Sequence, residues 1–252
     1  MRTLPALIGL LTISTSLTWH VPSAIAQTGA EAKIVQEFNR AMELKEFAKA
    51  RELAASLAKS ASSERVQLIS ADLLLRSGDA KSAVKQFDGY IAKRSGEKPY
   101  LWQRGIALYF AGRYKDGVDQ FKVHREVNPK DVENAAWHFL CLAKLESPEK
   151  ARGLVLPAPN DPRPPMKEIL EMLKTGDTST VEERIREYEG ERAEVIAAFY
   201  GNLYLGLHAD ALGNRAEATK FMKLAVKRTP MGYMGDVARV YLEYLESETK
   251  VD

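Results

Sequence analysis

The mature part of this chain offers few groups with an obvious chemical use. Its histidines there are His124, His138 and His208, and its one cysteine is Cys141. No two histidines stand in an HxxxH or HExxH arrangement, so no metal site is predicted from spacing. His124 and His138 fall at helix-packing positions, and structural, hydrogen-bonded histidines are expected rather than ligands or general bases. Cys141 lies on the apolar side of HFLCLAKL and is expected to be a small buried hydrophobe, not a reactive thiol. There is no glycine-rich phosphate loop and no GxSxG elbow. The acids that could form a general acid–base pair are Glu133 and Asp72. A cluster of large aromatic residues, Trp102, Tyr109, Phe110 and Trp137, could form a contact surface instead, because tryptophan and tyrosine dominate binding hot spots.

The elements that hold these residues are read from the stretch Pro99 to Pro129. Leu101, Gly105, Leu108 and Gly112 recur at the spacing of one helical face, and Tyr114, Gly117, Phe121 and His124 do so again after a turn at Gly112. Pro129 closes the second helix, because it lacks an amide and disfavours helix in the residue before it. So short a turn predicts antiparallel neighbours, with Gly105 and Gly117 where the backbones approach most closely.

Counted from Lys98, this stretch resembles the tetratricopeptide repeat, a helix-turn-helix unit of about 34 residues. The match rests on Gly105, Gly112, Tyr114, Gly117, Phe121 and Pro129. Similar patterns begin at Glu31, Glu64, Lys98 and Val132, offsets of 33, 34 and 34 residues. The expected fold is therefore all-α, a superhelix of antiparallel helix pairs. Its units fall at about 31–63, 64–97, 98–131 and 132–155. Lys45 stands where the first unit's turn glycine is expected.

The period fails at LPAPNDPRPP, residues 156–165, where five prolines in ten residues exclude helix interior. This segment is expected to be a rigid connector; the alternative is a proline-rich ligand for another protein. Residues 166–198 read as a degenerate repeat with Ser179 as a candidate cap, and the charge run from Glu182 as a solvated helix face. A last unit at 199–231 carries Gly206, Gly213, Ala218, Met222, Ala225 and Pro230. A helix from about Asp236 to Leu245, within 232–252, is expected to cover the end of the stack. GNLYLGLHADALGN is similar to envelope-associated bacterial repeat proteins that serve as adaptors for peptidoglycan enzymes, although the lipid-attachment cysteine of those lipoproteins is missing.

Residues 1–26 have the pattern of a secretory signal: Arg2, an apolar run from Leu4 to Leu17, then Ala24-Ile25-Ala26 as the cleavage site. Export to the periplasm or beyond is expected, with Gln27 as the new N-terminus and no stable membrane span after cleavage. Lys and Arg number 36 against 34 Asp and Glu, with no basic block, so no nucleic-acid partner is implied.

The resemblance implies which positions face the inner groove. They include Arg65, Asp72 and Arg76 in the second unit, Trp102, Gln103, Ile106, Tyr109 and Phe110 in the third, and Trp137 and Leu140 in the fourth. The carboxylate clamp known in this family is incomplete here, since only Asn39, Arg65 and a few isolated residues could fit it, so binding of a C-terminal carboxylate is not expected. Two readings of the aromatic patch stand open: a groove for an apolar partner segment, or core packed over by the degenerate unit. Apolar residues on nearly every side of that helix favour burial. The expected function is that of a non-catalytic scaffold binding a protein or peptide partner without a cofactor. The alternatives are a self-associating structural protein and, less favoured, an accessory enzyme of the cell envelope using Glu133 and Asp72.

Overall fold

In the computed structural model, residues 29–227 and 232–248 are described, and every regular element among them is helical. The signal segment and Pro230 lie outside them. The first pair is α1 (Gly29–Glu43) and α2 (Phe47–Ser60), followed by α3 (Glu64–Arg76) with α4 (Ala80–Lys93). A 3-10 segment, Ser95–Tyr100, leads into α5 (Trp102–Phe110) and α6 (Tyr114–Val127). Then come α7 (Val132–Leu145) and the short α8 (Pro148–Gly153), α9 (Met166–Thr175) and α10 (Ser179–Glu187), and finally α11 (Glu194–Ala211), α12 (Arg215–Lys227) and α13 (Tyr233–Glu248).

One turn geometry repeats along the array. Lys45, Gly78, Gly112 and Gly213 all have positive φ, from 59° to 94°. In each case the next amide reaches back five residues: Glu46 to the Ala41 carbonyl, Asp79 to Leu74, Arg113 to Leu108 and Asn214 to Ala209, at 2.8–2.9 Å. This is the helix-ending motif that satisfies the last carbonyls and reverses the chain. Lys45 adopts the same left-handed backbone without glycine, which explains how the first unit keeps its turn. Ser63, Asp79, Asp131 and Ser147 then cap the following helices by accepting amide hydrogen bonds. Ser179 does not act as a cap; it is the first residue of α10, and its amide donates to Asp177 Oδ1 at 2.9 Å.

Each helix packs on its successor from α1 to α8, and α3, α5 and α7 also touch in turn, forming an inner layer. The degenerate unit, α9 and α10, packs against α7, α8 and α11. The proline segment connects α8 to α9 and is pinned to the body. Arg125 Nε donates to the Pro157 carbonyl at 3.1 Å, Asp161 Oδ2 accepts from the Val132 amide at 3.2 Å, and Ala158 is buried.

The C-terminal helix is where the fold departs from expectation. It covers α12, as an end cap would, but it begins earlier, at Tyr233, and its other side lies against α3. With α11 on α7 and α13 on α3, the last unit bridges back to the second, and the inner layer closes on itself.

Glycine sets the interhelical gap inside the third unit and the one between α6 and α7. A Cβ built on Gly105 would stand 2.4–2.8 Å from three atoms of the Phe121 ring, and one on Gly117 would stand 2.6 Å from Cys141 Sγ. Gly105→Ala is therefore expected to destabilise the chain by about 1–3 kcal/mol through overpacking, against a helix-propensity gain of about 1 kcal/mol. Thermal denaturation checks it: a lower midpoint is expected, and an unchanged or raised one would mean that α5 and α6 do not approach this closely.

Candidate functional site

The inner face of α3 and α5 presents the aromatic and arginine residues that the sequence places in the groove, and α13 lies across them. Its apolar positions Val237, Tyr241 and Leu245 recur every four residues and are buried, as a helix seated on one face requires. Tyr233 meets Trp102 edge to face, with centroids 4.8 Å apart. Tyr241 packs beside Tyr109 and Phe110, at 6.1 and 5.4 Å. Arg76 Nε donates to Asp236 Oδ2 at 2.7 Å, and Arg239 Nη2 donates to the Arg76 carbonyl at 2.6 Å. Further out, the Arg239 guanidinium lies 3.9 Å from the Phe47 ring centroid, and Arg51 pairs with Glu243 at 3.5 Å. Aromatic edges and charge-assisted bonds thus fix the axial position of α13, not only its rotation.

Beneath it lies a buried polar cluster. The Tyr241 hydroxyl donates to Asp210 Oδ2 at 2.5 Å and lies 3.1 Å from the Tyr109 hydroxyl, which is itself 3.3 Å from Asp210 Oδ2. Lys144 Nζ reaches Asp210 Oδ2 at 2.9 Å and the Asp210 carbonyl at 3.1 Å. One carboxylate therefore ties together α5, α7, α11 and α13. Burial pushes both phenols well above their ordinary range, with the Asp210 charge adding to it. They stay protonated and serve as donors.

The two candidate acids are not brought together. Asp72 joins Arg76, Asp236 and Tyr233 under the α13 N-terminus. Desolvation raises its pKa to about 6, although Arg76 opposes the shift. The Tyr233 hydroxyl faces this carboxylate without closing a hydrogen bond of ordinary geometry. Glu133 stands in another cluster, at the start of α7. Arg163, from the proline segment, donates to Glu133 Oε1 at 2.5 Å, to Asp131 Oδ1 at 2.7 Å and to Asp161 Oδ2 at 2.6 Å. Tyr204 donates to Glu133 Oε2 at 2.8 Å, and the Arg163 guanidinium lies over the Tyr200 ring. Three carboxylates share one guanidinium here, so the most desolvated of them holds a proton longest. Burial is the main cause that carries Glu133 up to about 7, while hydrogen bonds from Arg163 hold Asp161 below its usual range. Both oxygens of Glu133 are already engaged, which suits a tie between α7, the proline segment and α11.

Of the remaining groove residues, Gln103, Ile106, Tyr109, Trp137 and Leu140 are buried, whereas Arg65, Trp102 and Phe110 are partly so. Of the two readings of the aromatic patch, the packed one describes this arrangement, but the cover is α13 and not the degenerate unit. Gln103 Oε1, Trp137 Nε1 and Arg65 Nε have no hydrogen-bond partner among the described residues. His124 fits its expected role, with Nδ1 on the Pro99 carbonyl at 2.8 Å. His138 does not: it is buried, and neither ring nitrogen has a hydrogen-bond partner among the described residues. Desolvation first, and for His138 Lys122 and for His208 Arg152, push both rings down to about 4, so they remain neutral. Cys141 is buried, and burial pushes its thiol far above the reactive range. No cluster of metal-ligating side chains occurs among the described residues.

Arg51, Arg163, Asp210, Tyr233 and Asp236 were not singled out from sequence. Only the α13 residues carried a signal there, as an aromatic and an acid spaced to share a face with Tyr241.

The Glu133 shift has a sign that can be tested. A carboxyl whose folded pKa lies above its unfolded value binds more protons when folded, so its contribution to stability falls as pH rises from about 4.5 to about 7. Glu133→Gln is expected to remove a decline on the order of 2 kcal/mol across that window. Urea denaturation of both chains at several pH values measures it, and parallel curves would show that Glu133 titrates normally. No protein-family model matches this chain, and no curated protein matches it, so its function is read from its own residues and geometry.

Proposed function

We propose that this chain is an exported, non-catalytic scaffold of the tetratricopeptide type, which mediates protein–protein interaction through its inner groove. One observation carries the reading: the groove built by α3 and α5 already holds an amphipathic helix, gripped by aromatic rings and arginines. Binding an amphipathic helix through spaced anchors is a common mode of peptide recognition. The 33- and 34-residue offsets and the shared turn geometry support the family assignment. Residues 1–26 support export by their composition. The two acids of the enzyme alternative belong to separate clusters, and each is engaged with arginine, which favours the scaffold over an acid–base pair.

The mature chain, crosslinked in its native compartment and purified, is expected to carry one defined protein partner. Recovery of none, or turnover by purified protein that disappears in Glu133→Gln, would overturn the reading.

A further inference from the structure

The seat of α13 shows what chemistry the groove recognises and how well the present occupant meets it. Five side chains of α13 make the grip: Tyr233 on Trp102, Asp236 on Arg76, Arg239 on the Phe47 ring and the Arg76 carbonyl, Tyr241 between Tyr109 and Phe110, and Glu243 on Arg51. Val240 adds a contact over Gly78, where its methyl groups come within 3.9 Å of a built Cβ. The groove side supplies Arg51 and Arg76 with aromatic rings, and α13 supplies Asp236, Glu243 and two tyrosines, with Arg239 set on the Phe47 ring, so each acid of the grip meets an arginine and the one cation of α13 meets an aromatic face and a carbonyl.

The fit is incomplete. Arg239 Nε on α13 is buried with no hydrogen-bond partner among the described residues, and the Tyr233 hydroxyl meets the Asp72 carboxylate only at poor geometry. Asp72 is desolvated beside Asp236, so two acids share Arg76. A permanent core usually satisfies such groups, because each one left unpaired costs free energy. An occupant that leaves them unpaired can be replaced by one that serves them better.

We propose that α13 is an exchangeable, built-in occupant of the groove, and that the outside partner is an amphipathic helix with two aromatic residues eight apart and an acidic residue three after the first. This rests on the scaffold reading and names its partner class. The partner would compete with α13, so the resting chain binds it with an affinity reduced by the fraction of time the groove is open.

The probe is a fluorescent peptide with the sequence of residues 232–248, added to the full chain and to a full-chain Tyr233→Ala/Tyr241→Ala variant, which weakens α13 and changes no residue of α3 or α5. Fluorescence anisotropy is expected to show Kd at least tenfold lower for the variant. A peptide with the same two alanines is expected not to bind. Equal affinity for both chains, or equal binding of the alanine peptide, overturns the proposal.

Should the variant lose its helical circular dichroism, hydrogen exchange on the parent chain decides. The amides of α13 are expected to exchange at least tenfold faster than those of α5 and α7, and equal protection overturns the proposal. A concentration-dependent dimer dispersed by the peptide would assign the groove to a second copy and overturn an outside partner. If crosslinking recovers a partner equally with and without excess peptide, the scaffold reading stands and this inference falls.

Discussion

The contact between α13 and the α3–α5 face is the constraint on which the rest of the structure depends. Arg76 and Asp236 are 160 residues apart in sequence and meet at 2.7 Å. Their bond, with the Tyr241–Asp210–Lys144 cluster beneath it, turns a linear stack into a closed one. In an open repeat array each unit contacts only its neighbours, and stability is close to a sum of local terms. Here the last unit also contacts the first three, through Phe47, Arg76 and Tyr109. Long-range coupling of that kind makes unfolding more cooperative than in a linear solenoid.

Closure also explains why so many polar groups lie inside an all-helical protein. Asp210, Lys144, Glu133 and Arg163 each join elements that are distant in sequence, and each pays for desolvation with charge-assisted hydrogen bonds. Those bonds are directional, so they fix the relative placement of helices that apolar contact alone would let slide. The Arg163 cluster does this for the proline segment, which otherwise has no regular hydrogen bonding. His138 is an exception: it is buried and neutral, and neither ring nitrogen has a hydrogen-bond partner among the described residues.

The helix pairs and their order were legible in the sequence because they rest on local rules. Period, turn glycines and the prolines that exclude helix interior all act within a few residues of themselves, whereas Ser179, read as a cap, lies one residue inside its helix. Lys45 was visible as a departure, and its left-handed backbone resolves it. What could not be read was tertiary. The alternation of polar and apolar residues in α13 predicts a covered face but not what covers it, and Tyr241 carries no mark that its partner is Tyr109. For the same reason the aromatic patch was visible as a patch, while its cover was not. Arg163 was hidden among prolines, where no periodicity exists to give it a face. Function is harder still to read, because it depends on tertiary contacts that no local rule reports.

The most direct test of closure is a double-mutant cycle on Arg76 and Asp236, using Arg76→Ala, Asp236→Ala and the double variant, with stability read by urea denaturation near neutral pH. A coupling energy of about 1–3 kcal/mol is expected for a partly buried, hydrogen-bonded pair. Additive single effects would mean that α13 does not seat on α3, and would contradict the account.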